Sequence, residues 1–494
     1  MSSLKVFNTL SNQKEEFVPL NGKRVLYYGC GPTVYDSSHL GHARCFITYD
    51  VVRRYLRFAG YDVTFVRNIT DVDDKIINRA KERGVLPEQV ARENTYTFWR
   101  DMAALNVDWP DYEPRCTEYI VQMIEFIQDL IDKKHAYAAG GDVYFDVASF
   151  KDYGQLKKQS VADMMVGARE DQVRSQGELI ERKRHPADFA LWKGAADDEP
   201  GWKSPWGRGR PGWHIECSVM VKHVLGETID LHGGGQDLIF PHHENEKAQS
   251  EAAQGKRLAK YWMHNNFLQV DSEKMSKSLG NFRTIHNVLT MYSPDAVRMF
   301  LLQTHYRSPI DMTEEVMNAS RNATLRLIRA ARLVTQNNGA AGAAVETFNT
   351  DPDLKPFLND FVDAMNDDFH TPQAVSVLFA LADKAFAVAD NAKASATADK
   401  ASAAGATVAA GESPHKYATL LKYLAGVLGF TLEDTAHNID TLTGQQVMDL
   451  VLSLRKMARD KKDFQMSDQI RDGLQQLGIK IMDSKGGDST WERL

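Results

Sequence analysis

Residues 23–70 read KRVLYYGCGPTVYDSSHLGHARCFITYDVVRRYLRFAGYDVTFVRNIT, and their pattern decides the fold class. KRVLYYGCG is an apolar and aromatic run that stops at glycine, as expected of a strand buried on both faces. Loop residues follow, and apolar residues then recur at helical spacing through ITYDVVRRYLRF. YDVTFVRNIT is predicted as the next strand. Strand, glycine turn, helix and strand make a βαβ unit, which predicts a Rossmann-like parallel α/β sheet with a crevice at the carboxyl ends of its strands.

Outward from this unit the pattern changes twice. Residues from about 85 to 205 mix a helix (EYIVQMIEFIQDLIDKKHAY), a strand (GGDVYFDV) and a charged segment, and read as a connective insertion. The sheet then resumes with IDLHGGGQDLIF and KYWMHNNFLQV, and a lysine-bearing loop region spans about 265–312. Together these make a first domain over residues 1–312. Beyond it, amphipathic runs such as TLRLIRAARLV and TPQAVSVLFALADKAFAVAD predict an α-helical bundle over 313–440. The Ala/Ser/Thr/Gly-rich stretch 391–414 reads as a flexible insertion within it. Residues 445–494 read as helix, break, helix and strand, a small C-terminal α/β unit.

Composition narrows the function classes. A 494-residue chain with 43% hydrophobic and 25% charged residues is an ordinary soluble globular composition. No apolar run approaches the ~20 residues of a membrane span, and MSSLKVFNTLSNQKEEF lacks a secretory apolar stretch. A cytoplasmic protein that contacts no membrane is expected. Cys30, Cys45, Cys116 and Cys217 are too scattered for a disulfide framework and read first as small buried hydrophobes. A net charge of −7 argues against indiscriminate coating of nucleic acid but not against a local basic surface.

Four signals carry chemistry. His39-Leu40-Gly41-His42 lies between the first strand and its helix, where a helix N-terminus favours phosphate and two imidazoles can donate to it. Capping or core histidines explain the same spacing. Lys274-Met275-Ser276-Lys277-Ser278 suits a polyphosphate-holding loop, or an exposed basic one. His242 and Glu246, four apart after Pro241, share a helix face; with Cys30 and Cys217 they make a possible zinc set. Spacing alone is met as well by two buried cysteines and a helical His–Glu pair. The glycines 233–235, near Trp213, Asp230, His232 and Asp237, mark a close approach or a tight turn. Arg455, Lys456, Arg459, Lys461 and Lys462 form a basic run that composition alone reads as a solvated helix face.

The joint pattern resembles the cysteinyl-tRNA synthetases, a class I aminoacyl-tRNA synthetase family. HLGH stands where that class carries HIGH, and KMSKS is intact. Around them stand YGCGPTVYD (28–36), RNITDVDDKII (67–77), GWHIECS (212–218) and HGGGQDLIFPHHENEKAQS (232–250). The likeness continues through AMNDDFHTPQA (364–374) to ARDKKDFQMSDQIRDGLQQLGIKIMD (458–483) and GDSTW (487–491), so it covers essentially the whole chain. Departures are mild: Leu40 replaces isoleucine, and the family's DALR reads Asp-Ala-Val-Arg at 295–298.

The resemblance implies a cysteine–tRNA ligase that activates L-cysteine with ATP and passes it to the terminal adenosine of cysteine tRNA. It implies one Zn2+ per chain on Cys30, Cys217, His242 and Glu246, binding the substrate thiolate, and Mg2+ accompanying ATP. Gly31, Thr70, Trp213 and His232 would line the cysteine pocket. His39, Gly41, His42, Asp237 and Lys277 would bind ATP, with His39, His42, Lys274 and Lys277 serving catalysis. The bundle would bind tRNA as a DALR-type domain, and residues 445–494 would meet the anticodon through Arg455, Lys456, Arg459, Lys461, Lys462 and Trp491. A monomer is expected. A related ligase that joins cysteine to an amino sugar in mycothiol synthesis shares the zinc and ATP residues but lacks the terminal unit. A non-catalytic relative would have lost a motif residue.

Overall fold

The computed structural model describes residues 2–159, 182–270, 273–274, 283–334, 345–399, 413–433, 441–483 and 489–493. Two compact units are formed, Met1–Leu432 and Glu433–Leu494. The first opens with an antiparallel pair, Lys5–Asn8 (β1) and Gln13–Glu16 (β2). The strand expected from VLYY runs Arg24–Gly29 (β3), helix Leu40–Phe58 (α1) crosses over, and Asp62–Arg67 (β4) returns parallel to β3. Helix α1 forms because Leu40, Ala43, Phe46, Ile47, Val51 and Tyr55 recur every three or four positions and bury one face.

Helices Asp74–Arg83 (α2) and Pro87–Ala104 (α3) follow, and Val90, Ala91, Phe98 and Met102 of α3 share the core of α1. A separate core therefore begins after the expected boundary near 85. It is built on helix Ile120–Asp132 (α4) and an antiparallel sheet of Ala136–Ala139 (β5), Asp142–Phe145 (β6), Phe189–Gly194 (β7), Trp202–Ser204 (β8) and Gly207–Pro211 (β9). Its strand order is β5-β6-β7-β9-β8, so pairing carries it past the expected end at 205 to Pro211.

The chain rejoins the parallel sheet through helix Trp213–Val224 (α5), strand Ile229–Gly235 (β10), helix Glu244–Gln254 (α6) and strand Ala259–Asn265 (β11). The order is β11-β10-β3-β4, all parallel, with Gly233 of β10 facing Gly29 of β3. The glycines 233–235 form no turn; they end β10, and their lack of side chains admits rings. A Cβ at 233 would stand 2.9 Å from the Tyr49 ring, and one at 234 would stand 2.3 Å from the ring of His243.

A small sheet of Leu268–Val270 (β12), Glu273–Lys274 (β13) and Ile310–Met312 (β14) extends this region, with Ile285–Leu289 (α7) and Pro294–Leu302 (α8) between its strands. Helices Glu314–Ala331 (α9), Lys355–Asn366 (α10), Thr371–Asp399 (α11) and Pro414–Val427 (α12) then build the bundle. It shares the core of α1: Tyr55 meets Phe369, and Phe58 meets Phe361 and Tyr423, edge-on or tilted. Helix α11 runs into the stretch expected to be a loop from 391, because alanine favours helix wherever nothing interrupts it. Residues 400–412 lie outside the described residues.

Residues Thr371–Ala392 reach the length and mean hydropathy of a membrane span, although Asp383 and Lys384 interrupt any continuous apolar run there. Ala374, Val375, Leu378, Leu381, Ala382 and Ala385 are buried in the bundle core, so its apolarity is that of a core helix. The second unit comprises Thr441–Asp460 (α13), Phe464–Gln476 (α14) and an antiparallel hairpin, Ile479–Asp483 (β15) with Ser489–Arg493 (β16). The hairpin's second strand was not expected from the sequence.

Candidate metal and nucleotide site

The carboxyl ends of β3 and β10 bring Cys30 and His232 side by side, because Tyr28 pairs with His232 and the Cys30 N–H donates to the Gly233 carbonyl at 3.1 Å. Helices α5 and α6 add Cys217 and Glu246, and His242 comes from the turn before α6. Ligand atoms of Cys30, Cys217, His242 and Glu246 all lie within 4.8 Å of one another, and all four residues are buried. The two sulfurs are 3.9 Å apart, Cys30 Sγ is 3.5 Å from Glu246 Oε1, and His242 Nε2 is 2.8 Å from the same oxygen. Two Zn–S bonds of ~2.3 Å at a tetrahedral angle separate sulfurs by ~3.8 Å. The donor set therefore fits zinc in kind and spacing.

The charges agree. Burial opposes ionisation of both thiols, yet hydrogen bonds from Cys30 and His242 bring Cys217 down to about 6, while Cys30 is pushed well up. Burial would also neutralise His242, but Glu246 and Cys217 raise it to about 10. Burial likewise works against the Glu246 carboxylate, and His242 and His232 hold it well below its ordinary value. Cys217 and Glu246 are thus the members drawn toward their charged forms, facing the imidazole of His242, which is drawn toward its protonated one.

The walls of this cluster are specific. The Trp213 ring stacks on His242 with centroids 4.1 Å apart. His232 Nε2 is 2.9 Å from Glu246 Oε2, its ring stacks on Trp262, and its buried Nδ1 has no hydrogen-bond partner among the described residues. Thr70 is buried and its hydroxyl donates to Glu216 at 2.8 Å. The Gly31 N–H donates to Asn68 Oδ1 at 2.8 Å, and Asn68 in turn reaches Thr70 and Cys217.

Four participants escaped the sequence reading. Asn68 and Glu216 support Thr70, and His214 Nδ1 lies 2.9 Å from His242 Nδ1, where it fixes the ring whose Nε2 meets Glu246 Oε1 at 2.8 Å. His243 is the fourth. Its Nε2 is 3.2 Å from Cys30 Sγ, and Cys30, His232, His243 and Glu246 form a second possible metal set sharing two members with the first. Its i,i+3 spacing to Glu246, which also shares a helix face, was a signal passed over in favour of the i,i+4 pair. The first set has two sulfurs, which zinc favours. The Nδ1 of His243 is also engaged, 2.7 Å from His264.

Beside this cluster, His39 and His42 open α1 with rings stacked at 3.8 Å, and the His39 N–H donates to His42 Nδ1 at 3.2 Å. Gly41 stands between them in the first turn. Burial brings His39 down to about 4 and His42 well below its ordinary value, so at neutral pH both are uncharged N–H donors. Asp237 is exposed in the turn after β10, at the adjacent strand end. Lys274 ends the described strand β13; Lys277 lies outside the described residues.

In the second unit the basic residues do not form one face. Arg455 is buried, and its guanidinium donates to both carboxylate oxygens of Asp483 at 2.7 and 2.9 Å and to Ser489 at 3.0 Å. It ties α13 to the hairpin instead of facing solvent. Arg459 reaches Asp483 at 3.3 Å while half exposed, and Lys456, Lys461 and Lys462 are exposed. Trp491 lies on β16 opposite Ile481, half-buried.

Comparison with known proteins accords with this arrangement. Residues 16–322 match the catalytic domain of class I (C) tRNA synthetases, and residues 360–433 match a DALR domain. Cysteine–tRNA ligases of Heliobacterium modesticaldum and Geobacter metallireducens are 45% and 46% identical over 99% of this chain, covering 100% and 99% of those proteins. Among solved structures, the methionyl-tRNA synthetase of Mycobacterium tuberculosis in complex with methionyl-adenylate is similar with a TM-score of 0.55. It is 16% identical, over 82% of this chain and 89% of that one, a likeness of fold alone. By its full-length identity to these ligases and its matched catalytic domain, the chain belongs to the cysteine–tRNA ligase family of class I tRNA synthetases.

Proposed function

We propose that this chain activates L-cysteine with ATP and transfers it to the 3′-terminal adenosine of cysteine tRNA, in the cytoplasm and as a monomer, with Zn2+ selecting the thiol. The observation that carries this reading is the convergence of Cys30, Cys217, His242 and Glu246 on one buried point at the strand ends. Zinc bound there prefers sulfur to oxygen and lowers a thiol's pKa, which favours cysteine over serine.

The remaining chemistry belongs to side chains. Trp213, Thr70, His232 and Gly31 shape the amino-acid pocket. The ring of Trp213, fixed by His242, gives the substrate's side chain a flat wall. ATP lies across the strand ends, with its Mg2+, its ribose at Asp237 and its adenine over Gly41. His39 and His42 donate N–H groups to its phosphates at the start of α1, where the helix dipole favours negative charge. The cysteine carboxylate attacks the α-phosphorus and pyrophosphate leaves. Lys274 and Lys277 balance the charge that builds on the phosphates, so positioning and electrostatics suffice without a protein nucleophile. A ribose hydroxyl of the tRNA then attacks the adenylate's carbonyl and AMP departs. Lys456, Arg459, Lys461, Lys462 and Trp491 contact the anticodon.

The test is charging of cysteine tRNA by the purified chain with ATP and cysteine. Accumulation of cysteinyl-tRNA is expected. Cysteine-dependent pyrophosphate exchange with no charging, but with consumption of an amino-sugar acceptor, would replace this reading with the sugar ligase. Gly31→Ala gives a sharper result. A Cβ there would lie 1.6 Å from the Asn68 carbonyl oxygen, a backbone atom that cannot swing aside. Displacement of the pocket by ~1 Å should lower cysteine activation roughly a hundredfold, and a wild-type exchange rate would remove Gly31 from the pocket wall.

A further inference from the structure

Arg44 lies on α1 one turn beyond His39, and it is 2% exposed. Among the described residues it has no carboxylate partner. Its guanidinium is spent on backbone carbonyls: Nη1 donates to Phe267 at 2.5 Å, and Nη2 to Ser308, Tyr306 (3.3 Å) and His305 (3.4 Å). Burial without a counter-ion brings its pKa down to about 10. An apolar side chain would fill this place with less desolvation, so stability is a poor explanation for a guanidinium there.

The acceptors explain it better. Phe267 immediately precedes β12 and Ser308 shortly precedes β14, two parallel strands starting on the same side of their sheet. Strand β12 pairs in turn with β13, Gln269 facing Lys274. One planar fork therefore fixes the start of the sheet that carries Lys274 to the helix that carries His39 and His42. The chain beyond that lysine is tied to the same turn by its backbone: Leu40 N–H donates to Arg283 O at 3.1 Å and Ile285 N–H to Ser38 O at 3.0 Å. On the leading edge Arg44 reaches from α1 to the Phe267 carbonyl, whereas Asn266, whose Oδ1 accepts from the Phe267 N–H at 2.7 Å, is its immediate chain neighbour.

We propose that Arg44 is a positioning residue for adenylate formation, setting the strand of Lys274 in register with the His39–His42 turn. This rests on the proposed cysteine activation. Its bonds reach neither zinc ligands nor pocket walls, so it should act on the rate of the chemical step and not on cysteine binding.

The test uses the full-length chain with Arg44→Met and Arg44→Lys. In cysteine-dependent pyrophosphate exchange, Arg44→Met should lose roughly a hundredfold in kcat, the cost of ~1 Å misplacement, with KM for cysteine and zinc content near wild type. Arg44→Lys should recover part of the loss, since an ammonium can still bond some of the carbonyls. Amide hydrogen exchange should quicken in Leu268–Val270 and Ile310–Met312 while β3 and β10 stay protected. Unchanged kcat in Arg44→Met overturns the proposal, as does a loss shared equally by kcat, zinc content and protection across the whole unit. Should Arg44→Met fail to fold, wild-type kcat in Arg44→Lys with those strands loosened would equally overturn it. If the unsubstituted chain shows no exchange with cysteine, the activity reading fails, and the hydrogen-exchange contrast still decides the clamp.

Discussion

Cys217→Ser is expected to lose bound zinc and to raise the cysteine requirement sharply. The substitution replaces one of two sulfurs 3.9 Å apart by a hydroxyl that remains protonated in this buried setting. Loss of groups that merely orient metal ligands costs ~10–100-fold in metal affinity, so loss of a ligand should exceed ~100-fold. KM for cysteine should rise at least about tenfold, because the selecting ion is no longer held. Metal analysis after dialysis and pyrophosphate exchange against cysteine concentration measure both. Full zinc content with unchanged KM would point to the neighbouring set of Cys30, His232, His243 and Glu246.

The second large effect is on stability. Asp50 of α1 is buried and surrounded by cations: Arg298 Nη2 at 2.5 Å, Arg54 Nε at 2.9 Å and Arg53 Nη2 at 3.7 Å. Arg298, also buried, further donates to the carbonyls of Leu105, Asn106 and Leu428, joining α1, the turn after α3 and the end of α12. Removing one partner of a buried pair leaves the other charge uncompensated, at roughly 3–5 kcal/mol. Asp50→Ala should therefore lower the Tm of the first unit by at least ~5 °C. Replacing the pair together, as Asp50→Ala with Arg298→Met, should cost less than the single change. A double variant destabilised as much as Asp50→Ala alone, or more, would contradict this.

The pH dependence follows from the same group. Burial works to raise the Asp50 pKa, but Arg298 and Arg54 overcome it and hold the carboxyl below its ordinary value. A depressed folded-state pKa contributes stability above the unfolded value near ~4 and loses it as pH falls through the depressed value. Asp50→Ala should flatten that part of the acid limb.

The sheet and first helix were legible because KRVLYYGCG and ITYDVVRRYLRF carry strand and helix patterns that no tertiary contact overrides. The insertion boundaries were less so: α3 has the same mixed composition as the segment after it, and only packing shows that Val90 and Phe98 belong to the main core. Alanine-rich residues after 391 were read as loop because they lack large apolar groups, yet helix propensity needs none. Spacing gave one half of the metal cluster, His242 with Glu246, and was silent on the other. Cys30 meets His242 because β3 and β10 pair in parallel register, and Cys217 because α5 packs against α6, contacts between distant segments. The glycines 233–235 were understood as close approach or turn, and the ring of His243 beside Gly234 decides for the first. Arg455 shows the reverse limit. A charge run gives no sign of which member turns inward, and Asp483 is the partner that draws this one in.

The most direct test of the metal-selected thiol is the ratio of kcat/KM for cysteine over serine in adenylate formation, with zinc content measured on the same sample. Shape alone discriminates by about 10–200-fold, whereas loss of a site-specific bond reaches ~10⁴ or more. A ratio above ~10⁴ in the zinc-loaded chain, collapsing in Cys217→Ser, is predicted. A ratio within the range of shape alone, or one that Cys217→Ser leaves intact, would contradict it.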